Sequence, residues 1–110
     1  MKSRLRANAE LQQAPEGKVV LVHLENPSEV LSFQVSVAAR TSSGGLISPV
    51  IWSDNWIELV PGESITLKGI LPDDAPVAPE IRVSGWNIDP LTIIPANAKL
   101  NVAMTTSSLR

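Results

Sequence analysis

Proton-transfer chemistry in this chain rests on eleven carboxylates and one histidine, since cysteine is absent. Two carboxyl groups facing each other across a reacting bond can serve as acid and base, and the best pairing on offer is Asp54 with Glu58 or Glu63. Asp54, however, stands in the run Trp52-Ser53-Asp54-Asn55-Trp56, a bend composition in which an aspartate bonds the backbone amides beside it. The remaining acids fall mostly at turns or on outward phases of predicted strands. His23 has no soft ligand to complete a zinc site and no nucleophile beside it for serine–histidine chemistry, so it reads as a surface or edge side chain. Gly44-Gly45 is not followed by a helix start and offers no phosphate cradle. The expectation is a chain with no catalytic residues, no metal and no cofactor.

The aromatic residues are more informative. All three tryptophans, Trp52, Trp56 and Trp86, fall in two short segments bounded by turn residues. Indole faces stack on sugar rings while the ring N–H stays free to donate, so one reading is a carbohydrate platform built from all three. Tryptophan is also enriched at buried interface centres, and packing at one end of the domain or against a neighbouring domain is the preferred reading. Trp86 falls on the outward phase of its segment, where an exposed ring would mark a docking surface.

Strands must position these groups, because apolar residues recur at every second position in segment after segment. Leu5, Ala7, Ala9 and Leu11 define a first strand, with Lys2, Arg4 and Arg6 on its solvated phase. Residues 18–25 are apolar on both phases, as a central strand requires, with His23 turned outward. Asn26-Pro27-Ser28-Glu29 is turn chemistry and predicts a hairpin into the next strand, whose inward face is Leu31, Phe33, Val35, Val37 and Ala39. Ser42-Ser43-Gly44-Gly45 ends that strand, Asp54-Asn55 bends the chain between Trp52 and Trp56, and Pro61-Gly62 suits the middle of a type II turn. Ile65 and Leu67 then face inward. Residues 71–79, rich in proline and aspartate, form a loop crossing between sheets. Ile81, Val83 and Gly85 alternate with Arg82, Ser84 and Trp86, and Leu100, Val102 and Met104 suggest a closing strand. The pattern predicts an all-β, two-sheet antiparallel sandwich of the immunoglobulin-like kind with about seven or eight strands.

Size and charge set the limits. A chain of 110 residues holds one core and one domain, expected over 1–105 with a frayed tail at 106–110, and is too short for an eight-stranded α/β barrel. The formal net charge is −2 with its charges scattered singly, which excludes a nucleic-acid footprint. No segment approaches the roughly 20 apolar residues of a membrane-spanning helix, so no membrane insertion is expected. The N-terminus lacks a signal peptide's apolar run, and any export signal of a longer parent would lie upstream. Without cysteine there is no inter-sheet disulfide, and apolar packing alone must hold the layers.

Leu24-Glu25-Asn26-Pro27-Ser28, Trp52-Ser53-Asp54-Asn55-Trp56, Leu59-Val60-Pro61-Gly62-Glu63 and Val83-Ser84-Gly85-Trp86-Asn87 occur in that order over residues 5–87. The set resembles the C-terminal immunoglobulin-like domain of glycoside hydrolase family 2 enzymes of the β-mannosidase and exo-β-glucosaminidase type. Trp56 stands where the family pattern has a tyrosine or phenylalanine. The resemblance implies turn roles for Asn26, Asp54, Asn55, Pro61, Gly62 and Gly85, and partners that are the other domains of a parent glycosidase, with carbohydrate as a further possibility. It implies a parent with a catalytic barrel and a retaining glutamate pair, about 5–5.5 Å apart, outside this chain. It also favours a periplasmic or secreted location, which composition leaves open.

Overall fold

A computed structural model describes residues 2–76 and 78–95. Every regular element among them is a strand: β1 (Arg6–Ala14), β2 (Gly17–Glu25), β3 (Ser32–Arg40), β4 (Ile51–Trp52), β5 (Ile57–Leu59), β6 (Ser64–Ile70), β7 (Glu80–Gly85) and β8 (Ile88–Ile93). They form two four-stranded sheets, β1-β2-β6-β4 and β5-β3-β7-β8, with every neighbouring pair antiparallel. The sandwich core lies between them. Val20, Val22, Leu24 and Leu67 from the first sheet meet Val35, Val37, Leu59, Ile81 and Val83 from the second, all of them buried. The period-two pattern thus sends one phase of these strands into the core, as the pleat dictates. β1 and β8 approach each other along one side of the sandwich, which leaves β4 and β5 as the edge strands of the other.

Residues 26–31 do not make the expected hairpin. β2 and β3 belong to different sheets, so this segment crosses the sandwich. A turn-rich composition reports a reversal but not which sheet the chain enters afterwards, and the crossing is held by side-chain bonds described below. The inward face expected for the next strand also holds only in part. Val35, Val37 and Ala39 are core residues, whereas Ser32 is fully buried and Phe33 is half-exposed. The register slips between Ser32 and Val35, and Gln34 takes a positive φ of 48°. The bulge reverses the phase of the strand and turns Phe33 to the outer face.

Gly62 has φ 82° and the Glu63 amide donates to the Val60 carbonyl at 3.0 Å, the geometry of a type II turn. β6 and β7 belong to different sheets, so the chain passes from one to the other between Ile70 and Glu80. β8 was not expected from the pattern, because Asp89 and Pro90 interrupt it. Proline is tolerated in that strand because β8 is an edge strand, where a missing amide costs no ladder bond. The closing strand expected at Leu100, Val102 and Met104 and the tail at 106–110 lie outside the described residues.

Candidate interaction surface

Three asparagines take the place of backbone partners where strands end. Asn26 is fully buried at the end of β2. Its amide nitrogen donates to the carbonyls of Val30 at 2.8 Å and Leu59 at 2.9 Å, and its side-chain oxygen accepts from the Ser28 amide at 3.0 Å and the Ser28 hydroxyl at 2.6 Å. Its own backbone is pinned to the neighbouring turn, donating to the Glu63 carbonyl and accepting from the Gly62 amide. Ser3 adds its hydroxyl to this cluster, 2.6 Å from that of Ser32 and 3.0 Å from the Val30 carbonyl. Buried polar groups satisfied this fully order a crossing that has no ladder of its own.

Asn55 and Asn87 repeat the device. Asn55 accepts from the Val37 amide at 2.9 Å and donates to the Val37 carbonyl at 3.1 Å, extending the β5 side of the β3 ladder with a side-chain amide. Asn87 accepts from the Phe33 amide at 2.9 Å and donates to the Leu31 carbonyl at 2.7 Å, bridging the bulge. Asp54 accepts from the Asn55 amide at 2.8 Å. Gly85 closes β7 where an added Cβ would lie 3.0 Å from both the Phe33 carbonyl oxygen and the Ile88 side chain.

The tryptophans separate into three environments. Trp52 is half-buried and packs on the core, its six-membered ring laid over Gly69 so closely that a Cβ there would sit 2.6 Å from Cζ3. It is therefore no part of an open platform. Trp56 enters β5 at φ 55° and is 71% exposed. Trp86, at the β7–β8 turn, is 77% exposed. Its ring meets Phe33 edge-on, with centroids 5.9 Å apart at 88°, and its amide donates to the Phe33 carbonyl at 3.0 Å. Phe33, Gln34, Glu58 and Trp86 line one shallow hollow of about 180 Å³. Alternation does not show a bulge, so it gives no sign that Phe33 and Gln34 face this hollow.

The acids considered for catalysis have separate surroundings. Asp54 is committed to its bend and Glu63 accepts from the Val60 amide at 3.0 Å, while Glu58 faces the hollow with no hydrogen-bond or ionic partner among the described residues. His23 lies between Thr66 at 2.8 Å and Glu10 at 3.2 Å on the outer face of the first sheet. That face pairs its own charges, with Arg6 on Glu25 and Lys68 on Glu16. The Lys68 hydrogen bond, helped by a backbone bond, holds the Glu16 carboxyl below its ordinary value. Its contribution to stability is therefore present at neutral pH and fades as pH falls through that lowered value. No cluster of three or more histidine, aspartate or glutamate side chains able to hold a metal occurs among the described residues.

Two antiparallel sheets, one with a self-paired ionic outer face and the other with exposed aromatic rings, define an immunoglobulin-like β-sandwich. More narrowly, residues 1–88 match the family described as the exo-β-D-glucosaminidase Ig-fold domain, and the chain belongs to that family. It is similar to the exo-β-D-glucosaminidase of Amycolatopsis orientalis, 37% identical over 76 residues covering 66% of this chain and 7% of that protein. The corresponding figures for the Hypocrea jecorina enzyme are 33% over 79 residues, 72% and 9%. The crystal structure of Amycolatopsis orientalis exo-chitosanase CsxA superposes with a TM-score of 0.75 at 31% identity, over 84% of this chain and 12% of that one. The chain thus spans less than a tenth of the length of the curated relatives it matches.

Proposed function

We propose that this chain is the non-catalytic accessory domain of a glycoside hydrolase family 2 exo-acting glycosidase, docked on the other domains and supporting the entrance to an active site that they carry. Membership of the exo-β-D-glucosaminidase Ig-fold family, over a small fraction of each relative's length, is the observation that carries this reading. Terminal β-D-glucosaminides are the preferred substrates of the parent, because the matched relatives are named for that activity. Its β-mannosidase counterpart has no such support. Retention of configuration by a glutamate pair remains what the family 2 resemblance implies for the parent.

Docking is best supported at the β4–β5 seam, the side of the sandwich on which each sheet ends in one of these edge strands. Ile51 at 64% and Trp56 at 71% exposure flank it, joined by residues 53–56, and large apolar side chains this open favour a covered surface. The test is a chimaera in which this chain replaces the corresponding segment of the Amycolatopsis orientalis enzyme. Replacing Ile51 and Trp56 together by serine should lower the chimaera's melting temperature by several degrees. In the isolated chain the same pair should change stability by no more than about 0.5 kcal/mol, as for other exposed sites. Equal losses in both settings would reject docking through this seam.

A further inference from the structure

Glu58, Gln34, Phe33 and Trp86 make an unusual combination for a surface awaiting another protein domain. The indole is open to solvent at 77% exposure and steadied by a T-shaped contact with the Phe33 ring. The groups beside it are a carboxylate without a partner among the described residues and an exposed amide, not further apolar side chains. Protein interfaces disfavour glutamate at their centres, since a buried, unmatched carboxylate carries a desolvation cost. A ligand with an apolar ring face, polar edges and a positive charge satisfies all of these groups together. The backbone supports the same placement, because Gln34 adopts a positive φ that few non-glycine residues tolerate, and such strain concentrates at functional sites.

We propose that this hollow is a binding subsite for one protonated amino-sugar residue of a glucosamine-containing polysaccharide. The sugar ring stacks on Trp86, its ammonium group faces Glu58, and Gln34 supplies hydrogen bonds at the rim. The choice of an amino sugar over a neutral one rests on the family reading above together with the Glu58 carboxylate. At about 180 Å³ the hollow falls below the roughly 300–1,000 Å³ of sites that enclose drug-sized ligands, so it holds a single ring and binds in the millimolar range. Its task is to retain the polymer near an active site on another domain. Trp86 is thereby assigned to sugar contact and the β4–β5 seam to docking.

Tryptophan fluorescence or ¹H–¹⁵N NMR titration of the whole chain with a glucosamine trisaccharide, in mildly acidic low-salt buffer, tests the assignment. A saturable change is expected, with Trp86→Ala weakening binding at least about tenfold as the stacking surface goes. Glu58→Gln should weaken it about two- to fivefold, the range of a single exposed ion pair, and the difference should shrink at high salt. Because Glu58 is exposed and without a partner among the described residues, that variant keeps the fold, and a circular dichroism melt checks both proteins. The N-acetylated trisaccharide, which carries no charge, should bind as weakly to the parent chain as to Glu58→Gln. Absence of saturation, equal affinity for the two trisaccharides, or unchanged binding by Trp86→Ala would each overturn the subsite. None of these would touch the accessory-domain reading, which stands or falls on where hydrolysis occurs.

Discussion

Asn26→Ala should cost the domain about 3–5 kcal/mol, enough to lower the thermal midpoint by more than about 12 °C in a domain of this size. The reason is local and countable. With the side chain gone, the Leu59 carbonyl and the Ser28 amide each lose a buried partner, and the Val30 carbonyl keeps only hydroxyl donors. Each stranded buried group costs roughly 1–3 kcal/mol, which exceeds what the lost bonds contribute when both partners are present. Asn26→Asp is a sharper probe at nearly constant volume. It turns an oxygen toward two carbonyls that now receive N–H donors, so it should be at least as damaging at neutral pH and partly relieved in acid, where one oxygen regains a proton. Urea titration measures both variants. A loss under about 1 kcal/mol for Asn26→Ala would mean that water replaces the side chain and that the crossing is not held in this way.

Gly69→Ala should destabilise by about 1–3 kcal/mol, the usual range for overpacking, although it adds only one methyl group. The backbone at Gly69 is not left-handed, so the penalty is steric: the new Cβ would meet Trp52 Cζ3 at 2.6 Å and Cε3 at 2.8 Å. Trp52 sits opposite Gly69 in the β4–β6 register and is packed on the core, leaving the ring little room to retreat. The double variant isolates this cause. In a Trp52→Ala background the same Gly69→Ala change should cost almost nothing, giving a coupling of about 1 kcal/mol or more between the two sites. Additive losses would show that the ring yields freely and that Trp52 is not fixed over this glycine.

These two sites illustrate what the sequence does and does not disclose. Alternation places Val20, Val22, Leu24, Leu67, Ile81 and Val83 in the core because the pleat alone decides which face each occupies. It says nothing about which sheet a strand joins, so the turn chemistry of Asn26-Pro27-Ser28-Glu29 suggested a hairpin where the chain crosses layers. One inserted residue at the Gln34 bulge moves Phe33 outward, and no composition signal marks that slip. Residue type cannot tell Trp52, laid over a glycine, from Trp86, held at a turn, since burial depends on the partner strand. Ser3 gave no sequence signal either, because it reaches Asn26 and Ser32 across more than twenty residues of chain. The ordered turn motifs, by contrast, carried the family assignment correctly, as the match over residues 1–88 shows.

On the proposed reading the chain is a scaffold whose chemistry lies on other domains, and the direct measurement is an activity assay on the purified 110-residue protein with p-nitrophenyl β-D-glucosaminide. Release of nitrophenol at the rate of buffer alone, from a sample shown to be folded and β-rich by circular dichroism, is the expected result. Saturable hydrolysis that tracks the purified chain and is lost when Asp54, Glu58 or Glu63 is replaced would contradict it.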